Sequence, residues 1–282
     1  MPRFLVALLL VAPPAAAQLA DGDRAWAQRA EGSSGGRAQA GPIDRAIAAY
    51  ERAAAQNPDS VEARWKLLRS LRFKGAYVAQ TSDEKKAIYS KARTAGDDAL
   101  KLVYRLIEAR GLRGPEKQPE QAVANSARNI AGAGEVFVWD AVNWGEWALA
   151  YGKMAAARQG AADRIRRNAT IAHLINPKLE GGTPSRVLGR LHDQTPRIPF
   201  ITGWASQKEA VKFLNESMKA DPANKITIVF LAEALVSDSA SNKARAVKML
   251  QDAIAAPDDP QYRVEQAAAT ADARALLRKL GG

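Results

Sequence analysis

From residue 18 onward, apolar positions recur every three or four residues, and the pattern is interrupted by Pro, Gly, Asn-Pro or Asp-Pro. That period marks helices with one buried stripe, and those interruptions are helix stops. No stretch alternates apolar and polar residues as a half-buried strand would, so no sheet is expected. Four segments share a finer pattern. Ala46, Tyr50, Ala53 and Pro58 are spaced four, three and five residues apart, and Ala210, Leu214, Ser217 and Pro222 repeat that spacing. Ile165, Ala169, Ala172 and Pro177 follow it with a larger first residue. Ala246, Leu250 and Ala253 follow it with Pro257 one position early. Small residues at helical spacing let two helix axes approach, the large one fills the groove, and proline cannot continue the ladder. Each segment therefore reads as the second helix of a packed pair. Ile228, Leu231, Ala232 and Leu235 read as the first helix of the next pair.

This spacing resembles the tetratricopeptide repeat, in which two antiparallel helices form a unit of about 34 residues. The expected fold is all-α: a degenerate tetratricopeptide-like array of antiparallel helix pairs, an α-solenoid, forming one domain over residues 18–282. The array is irregular in two places. Pro58 to Pro177 is too long for one unit and holds a long helical stretch from Ser82 to Ala109. Leu191 to Ser206, rich in Pro and aromatic residues, joins two helices by an unusually long connection. Local signals divide the rest. Ser206 to Glu209 has the form of a capping box. Thr183-Pro184 has the form of an N-cap followed by proline in the first turn. Gly181-Gly182 reads as a helix stop, and Gly32–Gly41 and Gly111–Gln118 read as loops.

The N-terminus has a different logic. Met1-Pro2-Arg3 is basic, Phe4 to Ala12 is continuously apolar, and Ala15-Ala16-Ala17 follows two prolines. That is the order of a cleaved export signal, and the apolar run is about half the ~20 residues a spanning helix needs. Residues 1–17 are therefore expected to be removed, leaving a soluble protein outside the cytoplasm. The 282-residue chain has no cysteine, which excludes disulfides, thiol catalysis, zinc–thiolate sites and a lipidated N-terminal cysteine. Its formal net charge is +11, but the basic residues are interleaved with acids along helices, and no nucleic-acid-binding signature accompanies them. Nucleic acid is not an expected partner.

Candidate chemistry concentrates in two segments. Between Glu135 and Lys153, Phe137, Trp144, Trp147 and Tyr151 share a helix face, with Asp140 and Asn143 beside them. Such aromatic walls with a few polar groups are typical of small-ligand pockets, and large core residues give the same pattern. The connection Leu191–Ser206 contributes Phe200 and Trp204, and Arg186 and Arg190 lie one turn apart on the helix before it, suited to a carboxylate. A cavity bounded by Asp140, Trp144, Trp147, Phe200 and Trp204, with Arg186 or Arg190 at its mouth, is the expected ligand site. His192-Asp193 lacks any accompanying nucleophile motif, His173 lies in a helical pattern, and no P-loop, dinucleotide-binding or zinc-protease motif is present. No catalysis, cofactor or metal is expected.

The stretch from Trp139 to Leu235 resembles the T component (TatT-like) associated with tripartite ATP-independent periplasmic (TRAP) transporters. The matching features are Val138-Trp139-Asp140-Ala141-Val142-Asn143-Trp144-Gly145, then Asn176-Pro177 leading through Gly182 to Arg186-Val187-Leu188-Gly189-Arg190-Leu191. A Pro-containing loop follows, then Glu209-Ala210-Val211-Lys212-Phe213-Leu214 and Asp221-Pro222. The resemblance implies a periplasmic, non-catalytic, tetratricopeptide-like protein. Its implied partner is the transporter's solute-binding protein, and its implied ligand a hydrophobic small molecule. The alternative is a general envelope-assembly or peptide-binding scaffold without a small ligand, and self-association stays open in either case.

Overall fold

The structure, a computed structural model, describes residues 14–198 and 202–281. Its first helices are α1 (Ala15–Ala27), α2 (Ala40–Gln56), α3 (Val61–Tyr77) and α4 (Ser82–Glu108). Then come the short α5 (Glu120–Ala127), α6 (Ala133–Tyr151), α7 (Lys153–Arg158), α8 (Ala161–Ile175) and α9 (Leu179–Gln194). The last are α10 (Gln207–Ala220), α11 (Lys225–Asp238), α12 (Lys243–Ala255) and α13 (Arg263–Lys279). Among the described residues the only β pairing is an isolated bridge between Ser34 and Arg37. The fold is an all-α array of antiparallel helix pairs.

The small–large–small pattern is the physical basis of that stacking. All twelve non-proline members of the four segments are buried, lying on α2, α8, α10 and α12. Each helix packs on its neighbour in sequence from α1 to α4 and from α8 to α12. Two features disturb the run. Helix α6 packs on α3, α4 and α8 together, which is why apolar residues surround it. Helix α13 closes the far end by packing on both α11 and α12.

Local signals are realised unevenly. The long α4 starts with a complete capping box, Thr81 Oγ1 accepting from the Glu84 amide while the Glu84 carboxylate accepts from Thr81. At α10 only half of the expected box forms: Ser206 accepts from the Glu209 amide at 3.4 Å, and the Glu209 carboxylate instead meets Lys212. Glu180, Gly181 and Gly182 all take left-handed conformations and kink α9. A side chain at Gly182 would lie 3.0 Å from the Ser217 Cα, so glycine there lets α9 seat against α10. Thr183 follows the kink, but its hydroxyl donates to the Glu180 carbonyl at 2.6 Å rather than capping an amide as expected.

The two ends of the array meet. Arg29, just past α1, is 4 % exposed; its guanidinium pairs with Glu265 of α13 at 3.1 Å and donates to the Gln261 carbonyl. Arg263 donates to the Ala30 carbonyl, and Gly36 lies so close to Ala268 that a Cβ there would sit 2.6 Å from its Cα. Val264 is buried in the same cluster as Ile43, Leu71 and Phe73 of α2 and α3. The helix pairs thus close into a ring. Met1–Pro13 of the expected leader lie outside the described residues. Ala15–Ala17 form the first turn of α1, whose Gln18 accepts from Arg52 Nε at 2.7 Å. No described helix is long and apolar enough to cross a membrane.

Candidate functional site

Ring closure brings side chains from α1, α3, α9 and the start of α13 to a common inner surface. On α3, Trp65, Arg69 and Arg72 fall four and three residues apart, along one face. The Arg69 guanidinium lies 4.0 Å from the Trp26 ring centre and 4.8 Å from that of Trp65. Arg29 stacks on the same Trp26 ring at 4.4 Å and approaches Tyr262 at 5.7 Å. Arg72 donates to Tyr77 Oη at 2.7 Å and pairs with Glu146 of α6 at 3.1 Å. Across from them stands α9, with Glu180 in its strained left-handed conformation and Arg186 bonded to Thr183 and to Thr227 of α11.

The electrostatics of this surface are unbalanced. Arg29 is matched by Glu265 and Arg72 by Glu146. Among the described residues no carboxylate lies within ion-pair distance of Arg69 or Arg186, and Arg69 Nε is buried without a hydrogen-bond partner. Burial lowers the pKa of Arg69, with Glu180 opposing it. Burial, reinforced by the neighbouring Arg72, lowers that of Arg186 to about 10. Burial also raises the pKa of the Glu180 carboxyl, against the pull of Arg69. A desolvated guanidinium is costly unless an anion meets it. The surface can therefore accept negative charge at two points, at Arg69, which stacks on the partly buried Trp26 and Trp65, and at Arg186.

Of the expected site residues, Arg186 lies on this inner face, and Arg190 points the same way to pair with Glu233 of α11 and with Asp193. Asp140 is elsewhere. It is buried between α4, α6 and α8, accepting from Arg164 Nη2 and Nε at 2.8 and 3.0 Å and from Asn168 Nδ2 at 2.7 Å. Trp144 and Trp147 are buried in a cluster with Tyr89, Ile165 and Leu188, with Arg93 over both rings at 3.8 and 4.1 Å. Trp204 packs edge-on against His192 at 5.3 Å. Phe200 lies outside the described residues. These residues are thus distributed over at least three places. Trp26, Arg29, Trp65, Arg69, Arg72 and Glu180 were absent from the expectation, although Trp65-Arg69-Arg72 and Trp26-Arg29 at helical spacing were visible signals.

No family model matches the chain. No curated protein matches it either. Among solved structures it is similar to the TPR2AB domain in the pHSP90 complex of yeast Sti1, at 13% identity over 95% of this chain and 98% of that one, TM-score 0.33. It is also similar to yeast Tom70, at 13% identity over 99% of this chain and 68% of that one, TM-score 0.29.

Proposed function

We propose that this is a non-catalytic binding protein whose inner face holds an anionic ligand with a flat apolar body. The observation that carries the reading is Arg69, a partly buried guanidinium stacked on Trp26 and Trp65 with its Nε unbonded, together with Arg186 on the facing α9; among the described residues neither has a carboxylate within ion-pair distance. A carboxylate would meet the planar forks, and the rings would cover the apolar part. Such a site needs no cofactor and performs no bond chemistry. A panel of small carboxylates titrated by calorimetry tests it. The expected result is a binder whose affinity falls about tenfold in Arg69→Leu, as loss of one charge-assisted contact predicts. Binding indifferent to both Arg69→Leu and Arg186→Leu would overturn it.

The sequence resemblance supports a finer reading. The protein is exported by its leader and serves as a T component that docks on the solute-binding protein of a TRAP transporter. Stacked helix pairs offer broad surfaces for such docking, and the +11 charge favours an acidic partner, with association weakening as salt rises. Analytical ultracentrifugation of the purified pair at tens of micromolar and low salt is the test. A single faster boundary supports it, and two independent boundaries refute the transporter assignment. Recovery of an envelope-assembly protein from native extract instead would support the general scaffold.

A further inference from the structure

The inner face holds one charged group that a simple anion would leave idle, the Glu180 carboxylate. Packing fixes where it stands. Leu179, the residue before it, and Trp65 of α3 both pack against the apolar cluster that includes Ile130, Ala133 and Val136 at the start of α6. A Cβ at Gly132 would lie 2.9 Å from Trp65 Cδ1, and one at Gly134 would lie 3.2 Å from Leu179 Cδ2. The turn at Glu180 is thereby brought to the part of α3 that carries Trp65 and Arg69. Glu180 is half-buried, and among the described residues its carboxylate makes neither a hydrogen bond nor an ion pair. Unlike Arg69 Nε, its oxygens are not sealed from solvent.

The backbone gives no local reason for a side chain here. Glu180 holds φ 47° and ψ 48°, a left-handed conformation that a Cβ disfavours and that Gly181 and Gly182 adopt freely. A glycine would make the same turn with less strain. The charges acting on the carboxylate come from facing helices as well as its own. Burial raises its pKa, Arg69 of α3 opposes that, Glu135 of α6 adds to it, and Arg186 of α9 opposes it. The exposed Tyr262 feels the same carboxylate, after burial, as an upward push. A simple carboxylate bound at Arg69 would leave Glu180 unpaired and set a second negative charge beside it. A cationic group on the same ligand removes both costs.

We propose that the inner face selects a zwitterion, an α-amino acid with a flat apolar side chain, over a plain carboxylic acid. This rests on the anion-binding function proposed for the same face. Arg69, with Arg186 on the facing helix, takes the carboxylate. Glu180 takes the ammonium group, and Trp65 and Tyr262 offer rings to the side chain.

Calorimetric titration of the full chain with three probes of one shape tests this. They are phenylalanine, 3-phenylpropionate, which lacks the ammonium group, and 2-phenylethylamine, which lacks the carboxylate. Phenylalanine should bind about tenfold more tightly than either, the worth of one charge-assisted hydrogen bond. Glu180→Gln keeps the shape and removes the charge, and should bring phenylalanine down to the level of 3-phenylpropionate. Glu180→Gly should lose the same preference with the melting temperature kept or raised, which separates ligand selection from a role in folding. If 3-phenylpropionate binds wild type as tightly as phenylalanine, the zwitterion proposal is overturned and anion binding stands. A preference for phenylalanine unaltered in Glu180→Gln, with wild-type circular dichroism, overturns it equally. No binding of any of the three at millimolar concentration also overturns it, and the panel of small carboxylates then decides anion binding separately.

Discussion

Asp140 and the two histidines show what residue type alone conveys. An aspartate among tryptophans has the look of a ligand contact, yet Asp140 is spent on Arg164 and Asn168 inside the α4–α6–α8 junction. Gly96 of α4 makes room for it, since a Cβ there would lie 2.3 Å from Asp140 Oδ1. That pairing depends on residues separated widely along the chain and was not legible from spacing. The histidines carry a pH prediction. Burial pushes the pKa of both His173 and His192 below the ordinary 6.5, opposed by Glu216 and Glu209 respectively. The unfolded chain thus binds protons that the folded one refuses, so stability is full above about pH 6.5 and falls as pH drops through that value. Each histidine contributes at most about 1.4 kcal/mol per pH unit. Melting temperature followed from pH 7.5 to 5 should fall less steeply in His192→Phe than in wild type. Parallel curves would show that His192 titrates alike in both states.

Helix α10 shows how much an element reveals before its neighbours are known. Its Ala210, Leu214 and Ser217 were assigned to a helix contact by spacing, and all three are buried against α9 and α11. Gly189 of α9 lies so near that a Cβ there would be 3.0 Å from the Ala210 carbonyl oxygen and 2.5 Å from Leu214. There is no slack at this contact. Ala210→Leu should overpack it and destabilise the protein by about 1–3 kcal/mol, read as a lower melting temperature with helix content kept. An unchanged melting temperature would show that α9 and α10 can separate without loss. Helix α6 was legible as buried or cavity-lining, and pattern alone did not decide between them. Its Phe137 belongs to the cluster shared with α3, α4 and α8, while Trp144 and Trp147 belong to another with Arg93 stacked over them. Caps were legible as positions but not as completed bonds, because Glu209 has Lys212 within reach as a competing partner.

At the scale of the molecule, the contact between Arg29 and α13 joins the two ends of the array. The pair is well buried, with side-chain exposures of 4 % and 12 %, so removing one partner strands the other. Arg29→Ala should cost about 3–5 kcal/mol. Hydrogen exchange should then accelerate together in α1 and α13, the elements the contact joins, while the α8–α10 region keeps its protection. A uniform acceleration across the chain would mean that the contact stabilises the whole fold rather than its closure. Closure also places Arg69 opposite Glu180 and Arg186, and so creates the inner face as a site.

By itself the sequence determined the local terms: which segments are helical, where they stop, and which alanines sit at close helix contacts. Those follow from interactions among residues three to five positions apart, which a linear pattern records. Tertiary structure alone decided the rest. The partners of Asp140 and of Arg29 lie 24 and 236 residues away along the chain. The charge balance of the inner face is a sum over several helices. No spacing rule encodes such a sum, because burial and pairing of a charge are set by what the folded ring brings beside it.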